Sequence, residues 1–229
     1  MTITYPRDLP AGNIWRDTCR MQPLYAQVSA PSRGGLVQVA NIGRDRWAFS
    51  YETVPLLERS AHEVEAWLRS LRGGSRLFRA RFPMREYPQA YPGGFGAMMR
   101  ASGGSFDGTA TLWSVEATLD AVSVSTLPAN FILRAGDLLQ LVYANGHQAL
   151  HQVVEDTTAS SGGFATAVPV EPTVLPGFTT GAGRVRLAQP FCLAVLDSRS
   201  LAPVRWSAGR PGTRRGIVSF SATQTFLAA

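Results

Sequence analysis

Between residues 46 and 52 apolar and polar positions alternate, so Trp47, Phe49 and Tyr51 share one face of an extended segment. Period two predicts a strand in "DRWAFSYETV", preceded by a second strand, "GLVQVANI", with a turn at residues 43–45. From residue 60 the period changes. In "SAHEVEAWLRSLRGG" the residues Val64, Trp67, Leu68 and Leu71 recur at i, i+3, i+4 and i+7, the stripe of a helix laid against a core. Ser60 followed three residues later by Glu63 predicts a capping box. Arg69 and Arg72 suit the negative end of the helix dipole, and Gly73 supplies the stop. Period two resumes in "SRLFRARFP", with Phe78, Ala80 and Phe82 on one face and Arg79 and Arg81 on the other.

Residues 87–108 are aperiodic and rich in glycine and proline, as expected of a crossover into a second module. From residue 109 short strands follow one another: "TATLWSVE", "AVSVST", "FILRAGDLLQLVY", "QALHQVVED", "FATAVPVEP" and "RVRLAQ". Asn145-Gly146 marks a hairpin inside this run. Strands at this spacing predict a small barrel or sandwich. The tail returns to arginine-rich strands and ends in "RGIVSFSATQTF". The chain therefore reads as mainly β, with one flanking helix. Its expected division is a discontinuous domain, residues 1–104 plus 184–229, interrupted by an inserted β module at 105–183.

Charge sharpens that division. All 22 basic residues are arginine, and the formal net charge is +6. Residues 1–100 hold 14 arginines against 8 acids, residues 101–183 hold Arg134 against 7 acids, and residues 184–229 hold 7 arginines against Asp197 alone. An acidic module thus interrupts a basic one. The chain is 45% hydrophobic, enough for a sizeable core, and no apolar run approaches the ~20 residues of a membrane helix. "MTITYPRDLPAG" lacks the apolar core of a secretory signal, so synthesis and first residence in a cytoplasm are expected. Cys19 and Cys192 are too few for a disulfide framework or a zinc site and read as buried thiols.

Candidate chemistry is sparse. His147 and His151 have zinc-peptidase spacing, but they fall in a predicted strand, where i and i+4 stand ~13 Å apart, and the expected glutamate is missing. His62 has no catalytic partner in the sequence. Asp107, Glu116 and Asp120 could supply a glycosidase pair, although nothing fixes their separation. "GRPGTRRG" at 209–216 could hold an anion or be a solvated hairpin tip. Nucleophile elbows, phosphate loops and dinucleotide fingerprints are absent. Arg79 and Arg81 alternate with phenylalanines on the opposite face, unlike a stacking platform for nucleic acid, so no specific nucleic-acid readout is expected. No catalytic residue, cofactor or metal is assigned.

The order of elements is similar to a known family. "RWAFSYETVPLLERSAHEVEAWLRSLRG", "RLFRARFP", "RAGDLLQL…LHQVVEDTTASSGGFATAVPVEP" and "RGIVSFSATQTF" resemble the distal tail proteins of long-tailed bacteriophages, prophages and gene transfer agents. The resemblance covers most of the chain from about residue 45. It implies a tail-tube-like β-sandwich with one helix and an inserted β-barrel, assembled as a homohexameric ring at the virion tail tip. Such a ring joins the tail tube protein to the baseplate hub protein and can meet tape-measure and receptor-binding proteins; it is not an enzyme. Within it, Arg79, Arg81, Arg210, Arg214 and Arg215 are the expected subunit or partner contacts. Two other readings stand beside it: a tube or minor tail protein of the same fold, and a carbohydrate- or protein-binding module acting through the insert.

Overall fold

The computed structural model describes residues 4–12, 14–31, 34–143, 146–176 and 183–226. Strands β1 (Arg7–Asp8), β2 (Arg20–Leu24), β3 (Gln27–Pro31), β4 (Val37–Asn41), β5 (Arg46–Glu52) and β6 (Leu56–Leu57) lead to α1 (Glu58–Ser70) and β7 (Phe78–Arg81). Then come β8 (Thr109–Val115), β9 (Ala121–Ser125), β10 (Ile132–Leu133), β11 (Leu138–Val142), β12 (Gln148–Val153), β13 (Thr157–Thr158), β14 (Ala165–Glu171) and β15 (Gly183–Arg186). The chain finishes with β16 (Phe191–Leu196), β17 (Arg205–Trp206), β18 (Arg215–Ile217) and β19 (Ser219–Gln224). The fold is mainly β, and α1 is the one α-helix among the described residues.

A six-stranded sheet, ordered β1-β7-β16-β19-β5-β2, forms the body. Its inner face carries Trp47, Phe49, Tyr51, Phe78 and Phe220, all buried, and α1 lies on that face. The apolar stripe explains the docking: Val64, Trp67, Leu68 and Leu71 are buried. The Trp67 ring meets Phe78 edge-on at 5.3 Å, and its indole N–H donates to the Asp8 carbonyl at 3.0 Å. Six further strands, β11-β12-β14-β9-β8-β15, close into a barrel filled by a separate, largely aliphatic core. The two cores touch where Leu138 and Leu150, on the barrel's outer surface, join the body core. There the Trp47 indole N–H donates to the Leu150 carbonyl at 2.7 Å.

The helix begins earlier than its sequence signal. Leu57, not Ser60, occupies the cap position, and no side chain caps the helix. The reason lies in β6, which pairs with β18 and carries the chain in strand geometry up to Leu57. Glu58, at the first helical position, accepts the Gly212 N–H and pairs with Arg214 at 3.5 Å, which places an anion at the positive helix end. Ser60 and Glu63 lie within the first turns, and Glu63 pairs with Arg59 at 3.2 Å. The stop is also displaced. Arg72, Gly73 and Gly74 are all left-handed, with φ of 50°, 60° and 96°. Gly74 is the sterically obligatory member, because a Cβ there would stand 2.7 Å from the Leu196 carbonyl oxygen.

The module boundaries shift as well. β15 hydrogen-bonds to β8 and β11 and completes the barrel, so the insert does not end at 183. Phe95 and Phe106, from the aperiodic crossover, enter the barrel core, with Tyr87 and Tyr91 against it. The buried Asp137 carboxylate anchors this segment by accepting the Gln89 and Arg134 backbone N–H groups, each at 2.8 Å. Taken at residues 83–188, the inserted unit carries 5 arginines against 8 acids, and the body carries 17 against 8. The acidic–basic contrast survives, but part of the basic charge belongs to the barrel. The predicted β11–β12 hairpin is present in antiparallel register; Asn145 of its turn lies outside the described residues.

A third region was anticipated only in its second strand, β4. β4 pairs with β3, while β5 pairs with β2 and β19, so the two strands expected on either side of the turn at residues 43–45 do not pair with each other and each continues a longer ribbon. β2 and β5 are its root in the body sheet. β3 and β4 are its outer half, a two-stranded arm.

Candidate functional site

Among the described residues no group of three or more His, Cys, Asp or Glu side chains is placed to hold a metal ion. The two histidines of the i, i+4 pair are each tied to the backbone of another segment. His147 Nδ1 donates to the Phe226 carbonyl at 2.7 Å, and His151 Nδ1 to the Pro172 carbonyl at 2.6 Å. His151 is buried in the barrel and its Nε2 has no partner; burial lowers its pKa to about 4 and holds it neutral. His62 sits on the exposed side of α1 between Glu58 and Glu65, with its ring 5.2 Å from that of Trp206. Both thiols are buried, and burial raises the pKa of each.

The carboxylate triplet is dispersed. Asp107 precedes β8 and pairs with Arg100 at 2.8 Å, while Glu116 and Asp120 follow that strand. Seven residues at ~3.3 Å each put Asp107 on the order of 20 Å from the other two, far beyond a glycosidase pair.

Residues 209–216 do hold an anion, and it belongs to the chain itself. Arg214 and the Gly212 N–H engage Glu58, and Arg215 donates to the Pro55 carbonyl at 3.3 Å. Of the arginines expected at partner contacts, Arg214 and Arg215 are therefore engaged in tying the C-terminal strands to the start of α1. Arg210 makes no ion pair among the described residues. Arg79 and Arg81 project from the outer face of β7, opposite Leu193 and Phe191 of β16, and line a groove beside the barrel.

The least satisfied surface is the arm. All ten residues of β3 and β4 are solvent-exposed. Val28 is 51% exposed, Val37 67% and Val39 57%, with Leu36 and Ile42 beside them. From Met21 to Gly43 the sole charged residue is Arg33, which lies outside the described residues. Half of the signal was read: "GLVQVANI" was expected to be a strand and contains β4, whereas "LYAQVSAP", uncharged and without a core-facing aromatic, resembles loop.

A second surface lies on the barrel. Trp113 and Phe164 are exposed and meet edge-on at 5.9 Å. The β8–β9 register slips between Leu112 and Ser114, so Trp113 is the bulged residue, turned outward by the local kink. Phe164 is presented by a tight turn in which Ser160 N–H bonds the Phe164 carbonyl and Gly163 N–H the Ser160 carbonyl. Gly163 has φ of 75°, and a Cβ there would come within 2.2 Å of the Leu127 carbonyl oxygen, so only glycine fits. The alternation of the strands had hidden this pair, since bulges leave no periodic signature.

No protein-family model matches the chain, and no curated protein is significantly similar to it. Among the described residues no helix is long and apolar enough to cross a membrane.

Proposed function

We propose that this chain is a structural virion protein that forms a ring at the distal end of a phage tail, assembled in the bacterial host cytoplasm. The observation that carries this reading is the β3–β4 arm: an uncharged ribbon, exposed on both faces, rooted in a basic sheet. A two-stranded ribbon is marginal in water by itself, so an arm of this composition is built to be covered by other chains. The arrangement of one helix on a sheet with a barrel inserted between strands fits what the sequence resemblance implies, and the warrant for the tail itself is that resemblance. In this reading the ring meets tube protein on one side and hub protein on the other, and the barrels stand at the periphery near receptor-binding proteins. A tube or minor tail protein of the same fold would use the arm in the same way.

Mass photometry of the purified chain tests the ring. A hexamer of 24.7 kDa subunits appears at about 148 kDa. Monomers at every concentration, with no copy of the chain in isolated tail tips, overturn the reading.

A second reading is favoured by the Trp113–Phe164 pair, which has the form of an aromatic contact for a sugar ring or a partner protein on the insert. Glycan-array binding by the full chain that disappears in Trp113→Ala supports it; binding unchanged by that substitution removes this pair from consideration.

A further inference from the structure

The groove beside β7 is electrostatically incomplete. Phe191 of β16 stands directly opposite Arg81, and the guanidinium carbons of Arg79 and Arg186 lie 5.6 and 5.5 Å from the centre of its ring. The cavity between body and barrel measures about 430 Å³. Its walls pair two of the three cations and leave the third, Arg186, without a carboxylate among the described residues. The Asp8 carboxylate pairs with Arg79 at 3.1 Å, and Glu86 approaches Arg81 at 3.6 Å. Asp107, on the same wall, is engaged by Arg100. Arg186 makes no ion pair among the described residues, and the buried Nε of Arg81 has no acceptor.

A complementary defect lies elsewhere on the same molecule. The Asp120 carbonyl accepts the Val170 N–H at 2.8 Å, which sets Asp120 against the end of β14, where Glu171 is the last residue. Asp45, just before β5, adds a third carboxylate, and its influence is felt at Glu171: burial, Asp45 and Asp120 together raise the Glu171 pKa. None of the three forms an ion pair among the described residues.

These two regions cannot satisfy each other within one chain. Arg186 faces Thr109, the first residue of β8, whereas Asp120 follows the last, about 20 Å away along seven residues of strand. In the body sheet β16 and β19 separate β7 from β5. We infer that the groove of Arg79, Arg81 and Arg186 around Phe191 receives the carboxylates Asp45, Asp120 and Glu171 of a second copy of this chain. The inference rests on the ring reading and deepens it by naming the contact. Guanidinium forks bind carboxylates in bidentate geometry, which fixes register as well as attraction. A contact between two different patches is heterologous, so each copy keeps one groove and one acidic patch open until the assembly closes.

Charge reversal tests it, because Arg186 and Glu171 are exposed and each substitution leaves the cores intact. R186E and E171R are each expected to weaken assembly at least ~10-fold in mass photometry, with unchanged thermal melts. The doubly reversed chain, R186E with E171R, regains assembly. Mixed in equal amounts, the two single variants repel their own kind but complement each other at both contacts, so they alternate into a ring of about 148 kDa, six times the 24.7 kDa subunit. Wild-type assembly left intact by both reversals overturns the groove contact and leaves the ring standing. A wild-type chain that stays monomeric at every concentration and is absent from isolated tail tips removes the ring reading and this contact together.

Discussion

The barrel and the arm are built from the same element, the antiparallel strand pair, and differ in what their side chains find. Along β8, β9, β11, β12 and β14 the inward positions are buried, and closure leaves no strand edge among the six. Along β3 and β4 no position on either face is buried, although valine and alanine recur there. The barrel is complete within one chain: its turns are locked by residues such as Asp137 and Gly163, and its core is filled by its own apolar side chains. The arm has the hydrogen bonds of a ribbon without any core. Chain architecture alone therefore separates the part of the protein that buries its own apolar residues from the part that finds no core within its own chain.

Substitutions can break that contrast at either end. Phe131→Ala in the barrel removes a fully buried ring stacked on Tyr91 at 4.5 Å and should cost ~3–5 kcal/mol in chemical denaturation. Trp67→Ala on α1 should cost a similar amount, and a variant melting like the parent would show that the helix does not dock as described. Next in size is acid sensitivity. His151 stays neutral when folded, with its pKa lowered to about 4 from an ordinary 6.5, so below pH 6.5 the unfolded chain takes up a proton that the native barrel refuses. This loses about 3 kcal/mol as pH falls from 6.5 through 4, a slope that should be absent from His151→Leu in denaturation at stepped pH. Gly163→Ala should cost more than about 1 kcal/mol through the left-handed backbone and the Leu127 carbonyl, and should blur the Trp113–Phe164 contact seen in tryptophan fluorescence. Smallest of all, Val39→Ser on the arm should change monomer stability by no more than ~0.5 kcal/mol while reducing assembly in mass photometry. A large loss of monomer stability there would mean that the arm belongs to the chain's own core.

The regions that were legible in the sequence are those whose side chains keep a strict period. Trp47, Phe49 and Tyr51 announced β5, and Val64 to Leu71 announced α1, because burial on one face enforces the repeat. The helix start was misread because Ser60 and Glu63 satisfy a local rule, while the true boundary is set by β18, more than 150 residues away in sequence, pairing with β6. The end of the insert was misread because charge was used to place it. Arg184 and Arg186 are basic, yet their strand alternates buried Gly183 and Val185 toward the barrel core. Half of the arm was legible, since β4 lies in the strand read at "GLVQVANI"; β3 and its pairing were missed because exposure on both faces removes the pattern that period-based reading requires. The groove could not be seen at all: Arg81, Arg186 and Phe191 meet through strand pairing across the module junction, a relation that no local window contains.

The chain leaves the body at Arg81 and returns to it at Phe191, and these two residues are direct cross-strand partners. More than a hundred residues thus hang from two points one strand spacing apart, where an ordinary hairpin turn would serve to join β7 to β16. A lineage could therefore exchange, enlarge or discard the barrel without redrawing the body sheet, provided something else covered Trp47. In that sense the β7–β16 pair is a socket: the protein can alter what it displays while keeping the sheet that carries it.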